Sequence, residues 1–247
     1  MPEISRQQRY ATFFSQAMDD LSFDNTGPFL LKNGFDEAWT MDSTRVSEEE
    51  KAQYWWGWGL QDDVFYQKTF SELDKAREKS IGMVSTQSAL HKPILENPSP
   101  NKPVFLALMN ISNHMRFDQI SEPLKKIYKG NLSFRKNYIN SIRLVDDFLR
   151  VFISEVKSRE YLKNAIVVIT GDHSFPTGEH FNTANENYAW QENFRTPLLI
   201  LDMKGGESLP ELRNLSRRQK IFGPYSHIDI APTVMDLLGI SDKTHFI

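Results

Sequence analysis

The sequence predicts an α/β protein with a doubly wound, mostly parallel sheet flanked by helices. Three observations carry that prediction. Val104 to Met109 (VFLALM) is a continuous apolar run of strand length, as a strand covered on both faces requires. Asn131 to Ser158 follows with Tyr138, Ile142, Val145, Phe148, Leu149 and Phe152 at helical spacing. A second short apolar run, Ala165 to Ile169, then breaks at Thr170-Gly171, and a further strand follows at Pro197 to Leu201. Strand, long helix, strand, strand and a closing helix make the alternating pattern of an α/β sheet.

The remaining elements are read in order. Residues 10 to 16 (YATFFSQ) form a short strand. Asn25-Thr26-Gly27-Pro28 opens a short helix that ends at Asn33-Gly34, glycine being the usual residue just past a helix. Ser47-Glu48-Glu49-Glu50 is a helix start, because acids in the first turn complement the helix dipole. Gly57 and Gly59 interrupt this stretch, and a second helix spans Asp62 to Lys79 with Phe65, Phe70 and Leu73 for its buried face. Leu90 to Pro103 is a Pro/Asn-rich loop, and residues 202 to 226 are a polar, Gly-rich excursion. A short helix, Val234 to Leu238, stopped by Gly239, closes the chain. No internal repeat or linker divides the 247 residues, so they are expected to form one domain (1–247).

Composition narrows the function. With 29 basic and 32 acidic residues the formal net charge is −3, which gives no electrostatic basis for nucleic-acid binding. The absence of cysteine excludes disulfides, thiolate nucleophiles and a formylglycine made from cysteine. No apolar run approaches the ~20 residues of a membrane span, and MPEISRQQRYATFF lacks an apolar export-signal core.

The chemistry concentrates at strand ends. The run 165–170 delivers adjacent Asp172 and His173, and a carboxylate oxygen beside an imidazole nitrogen suits a divalent cation. Asp172 alone reads equally as a turn-capping carboxylate. The strand 104–109 ends at His114, which spacing alone reads as a loop histidine bonded to backbone. In a parallel sheet both ends open on one edge, where the three side chains could converge. His180 lies in an exposed Gly-Glu-His-Phe-Asn loop, His227 stands before the closing helix as a supporting residue of the site or a helix-entry residue, and Asp229 fits a capping position. His91 and His245 have no supporting context. Tyr54-Trp55-Trp56-Gly57-Trp58 can stack on a sugar or plug a seam between helix and sheet, the plug being favoured.

Taken together, the motifs resemble the sulfatase-like enzymes of the alkaline phosphatase superfamily, and more closely the lipoteichoic acid synthase and phosphoglycerol transferase branch. Phe13–Phe35, Asn110–Phe117 (NISNHMRF), Gly171–Asn182 (GDH…H) and His227–Ile240 (HIDIAPTVMDLLGI) carry the match in order and span nearly the whole chain. The resemblance implies that Asp172 and His173 bind a divalent metal, Mn²⁺ or Mg²⁺ with Zn²⁺ as a further option, and that His114 and His180 contact the substrate. It implies a phosphate- or sulfate-ester substrate, lipid-linked in some members, and two-step displacement through a Ser or Thr nucleophile. In that family the nucleophile and an acidic ligand precede the segment matching Phe13; Ser85-Thr86 and Ser112 lie in the wrong blocks. This chain is therefore expected to be the C-terminal portion of a longer, membrane-anchored, extracytoplasmic enzyme and to be inactive alone. Lipoteichoic acid synthases place Trp and Arg where this chain has Asp24 and Thr26, which disfavours glycerol phosphate. A non-catalytic substrate- or metal-binding module is the alternative.

Overall fold

A computed structural model describes residues 1–22, 25–82, 102–182, 190–204 and 225–240. Asp24, Ser85-Thr86, His91, His245 and most of the Pro/Asn-rich loop and the Gly-rich excursion lie outside them.

The chain opens with helix α1 (Pro2–Gln7), which leads into strand β1 (Ala11–Gln16). Helix α2 (Thr26–Lys32) follows, and strand β2 (Glu37–Trp39) lies parallel to β1. Gly34, at φ +96°, makes the turn between them, where a Cβ would lie 2.5 Å from the backbone of Glu3. Ser47 caps helix α3 (Glu48–Tyr54): its hydroxyl accepts from the Glu50 N–H, while the Glu50 carboxylate accepts from the Ser47 N–H. The hairpin β3 (Trp55–Trp56) and β4 (Gly59–Leu60) leads to helix α4 (Asp62–Gly82).

Strand β5 (Val104–Met109) pairs in parallel with β1, giving the sheet order β2-β1-β5. The long helix α5 (Phe134–Lys157) packs against α4. Phe13, Trp39, Phe70, Leu73 and Val156 form one core cluster; Leu60, Phe65, Tyr66, Leu144 and Phe148 belong to a second. Each such side chain contributes roughly 1.5–3 kcal/mol when removed from water. Arg159, just past α5, donates to both carboxylate oxygens of Asp74 on α4 at 2.7–3.1 Å.

Strand β6 (Ile166–Thr170) and strand β7 (Leu198–Asp202) run antiparallel, with helix α6 (Gln191–Phe194) between them in sequence. Helix α7 (Ile230–Leu237) closes the described chain.

Three expectations change in detail. Among the described residues β6 pairs with β7, not with the parallel strands, because the chain turns back after residue 190 and zips along β6 to Ala165, whose carbonyl accepts from the Met203 N–H. β5 is half-buried, because it ends the three-stranded sheet among the described residues. On α5 the buried stripe is Asn140, Leu144, Phe148 and Val156, spaced by fours, with Phe152 at its edge. Ile142 is 45% exposed: at ~100° per residue it points ~200° away from Asn140.

Candidate ester and metal site

Two loops carry the chemistry predicted from sequence, and each is built from backbone contacts. The first leaves β5. Asp62, the first residue of α4 and fully buried, accepts from the backbone N–H groups of Ile111 and Ser112 at 3.0 and 2.9 Å and from Asn110 Nδ2 at 2.7 Å. Its own N–H donates to Ser112 Oγ at 2.9 Å. Burial pushes the Asp62 carboxyl above the ordinary carboxylate range, and the hydrogen bonds from Ile111, Ser112 and Asn110 offset this only in part. The turn held this way ends at His114, whose N–H donates to the Ile111 carbonyl at 2.8 Å. Asn113 accepts from Ser141 on α5, which ties the loop to the long helix.

His114 Nδ1 lies 2.8 Å from the Met115 carbonyl. A carbonyl can only accept, so Nδ1 carries the proton and Nε2 is left for a ligand. The ring packs on Trp58 at 4.5 Å between centroids.

The second loop leaves β6. Asp172 Oδ1 accepts from the His173 N–H at 2.8 Å, and His173 Nδ1 lies 2.9 Å from the Ser174 carbonyl. The same argument puts the proton on Nδ1. Nε2 of His173 and Oδ2 of Asp172 then lie 3.7 Å apart, both side chains exposed. Those donors fit one divalent cation, since bonds of roughly 2.1 Å to each span that separation. Among the described residues no group of three or more His, Asp or Glu is arranged to hold a metal.

The partners of this loop come from far along the chain. His227 Nε2 lies 2.8 Å from the Gly171 carbonyl, and Thr170 and Thr196 stand at 3.5 and 3.3 Å. His227 thus fastens the closing helix to the turn before Asp172. Asp229, expected to cap the closing helix, makes no side-chain bond to it; its carboxylate accepts from the Ser226 N–H at 2.7 Å and closes the turn that enters the helix.

His180 is placed apart from the Asp172–His173 pair. Nδ1 lies 3.0 Å from Glu192 Oε1, and the ring stacks on Trp190 at 4.3 Å, interplanar angle 5°. These residues, with Gln191 and Arg195, line an open cavity of about 490 Å³. Ser174 donates to the Asn193 carbonyl and Asn182 Nδ2 to Asn193 Oδ1, so α6 is stitched to the metal-pair loop. Glu192 and Asn193 carry no local motif and were missed.

The two loops meet. The ring of Phe117, three residues past His114, lies 5.8 Å from that of Phe175, two residues past His173. Phe134 and Tyr138 of α5 complete the cluster. His114 bonds to Met115 and packs against Trp58, without direct contact to Asp172 or His173 among the described residues.

The α/β fold, with its parallel sheet and flanking helices, is one shared with solved structures of the alkaline phosphatase superfamily. The chain is similar to a protein of that superfamily from Vibrio parahaemolyticus (TM-score 0.65, 19% identity, 97% of this chain and 47% of that one). It is also similar to the lipoteichoic acid synthase LtaP from Listeria monocytogenes (TM-score 0.64, 20% identity, 98% and 52%). The chain belongs to the sulfatase family, whose model matches residues 1–240. Its relatives include lipoteichoic acid synthase 1 of Bacillus subtilis (strain 168), 25% identical over 256 residues, covering 99% of this chain and 34% of that protein. Another is the lipoteichoic acid synthase of Staphylococcus aureus (strain USA300), 23% identical over 190 residues, 74% of this chain and 28% of that one. The chain spans about a third of the length of these curated relatives. No described helix is long and apolar enough to cross a membrane.

Proposed function

We propose that this chain carries the metal pair and the anion-binding histidine of a metal-dependent hydrolase or phosphotransferase acting on phospho- or sulfo-esters. The observation that carries the reading is the joining of the two strand-end loops at Phe117 and Phe175, one bearing His114 and the other Asp172 and His173.

Asp172 and His173 would hold a divalent cation, Mn²⁺ or Mg²⁺ before Zn²⁺, which supplies charge neutralisation at the ester oxygens. His114, with Nδ1 committed to Met115, would turn Nε2 toward an ester oxygen. His180 contributes to the substrate side of the same loop, its ring fixed by Glu192 and Trp190. The attacking hydroxyl comes from outside these 247 residues; what supports this is the third of the relatives' length that the chain spans.

Relatives named lipoteichoic acid synthases favour a lipid-linked ester and an extracytoplasmic, membrane-anchored protein. Asp24 and Thr26 stand where the resemblance places Trp and Arg in that branch, which counts against glycerol phosphate and leaves phosphoethanolamine or another phospho- or sulfo-ester open.

The test is turnover of an aryl phosphate with Mn²⁺. The isolated chain should show no rate above a His173→Ala control, while the protein extended by an in-frame upstream segment with a strand-end Ser or Thr should turn over and lose activity with Asp172→Ala. Turnover by the isolated chain that disappears in His173→Ala would place the nucleophile within these residues. An extended protein that binds the ester and never turns it over would make this a binding module.

A further inference from the structure

The tryptophan-rich segment after α3 divides in use. Trp55 and Trp56 pack against the core, Trp56 within 6.2 Å of Phe148, which is the plugging role favoured by the sequence. Trp58 does not join them. It is 62% exposed, and its partner is the ring of His114, 4.5 Å away and tilted by 47°.

The hairpin that presents Trp58 is held firmly. Gly57 takes φ +56° at the first central position of the turn, as a tight hairpin needs. Gly59 is pressed against the end of β1, where a Cβ would lie 2.8 Å from the Ala17 carbonyl. The Leu60 N–H donates to that carbonyl at 2.9 Å, and the Gln61 N–H to Tyr54 at 2.8 Å. Two residues further on, Asp62 fixes the turn 110–112 whose Ile111 carbonyl accepts from His114. The short segment 58–62 therefore grips His114 twice: the carboxylate sets its backbone and the indole sets its ring.

We propose that Trp58 is a specificity-determining residue of the ester site. One part of the indole keeps the His114 ring in place; the rest, open to solvent, takes the carbon–hydrogen surface of the alcohol half of the ester. The site then prefers an organic phosphoester to inorganic phosphate. The proposal rests on the reading that His114 binds the ester anion. A core role for Trp58 is excluded by its exposure, and aromatic faces commonly serve such amphipathic ligands.

The experiment follows the His114 ring resonances of the 247-residue chain during separate titrations with inorganic phosphate and phosphoethanolamine. The unaltered chain should bind phosphoethanolamine about fivefold more tightly, in the range aromatic stacking supplies. Trp58→Ala should abolish the preference by weakening phosphoethanolamine about fivefold more than it weakens phosphate, while Trp58→Phe should keep part of it. Equal weakening of both ligands in Trp58→Ala, or of neither, overturns the proposal. If phosphate leaves His114 unmoved in the unaltered chain, or His114→Ala binds it undiminished, the ester reading fails and the Trp58 proposal with it.

Discussion

The ring centroid of Phe117 lies 5.8 Å from that of Phe175, edge to face, and this contact joins the loop of His114 to the loop of Asp172 and His173. Strands β5 and β6 themselves pair with different partners. Aromatic packing on α5, not a shared ladder, is therefore the described link between the two halves of the site.

Phe117 is 3% exposed and touches Phe134, Tyr138 and Phe175. Phe117→Ala should cost about 3–5 kcal/mol in denaturant unfolding. It should also shift the His173 ring resonances, although that residue is far away in sequence. Unchanged His173 shifts would mean the loops are held together by something else.

Asp62→Ala should destabilise the chain by about 2–5 kcal/mol, because the N–H groups of Ile111 and Ser112 lose their acceptor inside the protein. Amide exchange at His114 should accelerate along with them. Loss of stability with unchanged exchange at His114 would separate Asp62 from the site.

The Asp74–Arg159 pair sets a pH dependence. Burial alone would raise the Asp74 carboxyl, but hydrogen bonds from Arg159 and Tyr161 and the Arg159 charge outweigh it and hold Asp74 below its ordinary 3.8. A carboxyl lowered in the folded state adds stability above its unfolded value, and that contribution is lost as pH falls through the folded one. Asp74→Asn should therefore cost about 1 kcal/mol at pH 7, a modest figure because Asp74 is partly exposed. The gap between variant and parent should close below about pH 4 in urea titrations. A gap that widens on acidification would contradict the assignment.

Much of this was legible in the sequence, and what was not has a physical reason. The runs 104–109 and 165–170, the Ser47 cap and the Asp172–His173 pair are local patterns, and the structure places strands, a capped helix and paired donors there. The three residues of β2 and the two each of β3 and β4 are too short for periodicity to register. Helix α1 did leave a signal, Pro2 at its start with Glu3 in the first turn, and was overlooked. The partners Glu192 for His180 and His227 for Gly171 come from 12 and 56 residues away, so only the fold brings them together. Trp58 sits in the same short run as Trp55 and Trp56; composition cannot tell the exposed ring from the buried ones.

His227→Ala should free the Gly171 carbonyl and loosen the turn before Asp172. Stability should fall by about 1 kcal/mol, the worth of one hydrogen bond. Metal affinity should drop as well, because a supporting residue holds its ligands in place. An unchanged affinity would limit His227 to anchoring α7.

The most direct measurement is a Mn²⁺ titration of the 247-residue chain read by paramagnetic broadening of histidine ring signals. His173 should broaden first, with an affinity weaker than micromolar because two protein ligands leave the ion mostly hydrated, and Asp172→Ala should remove the effect. Broadening centred on another histidine, or sub-micromolar binding that survives Asp172→Ala, would contradict this pair as the metal site.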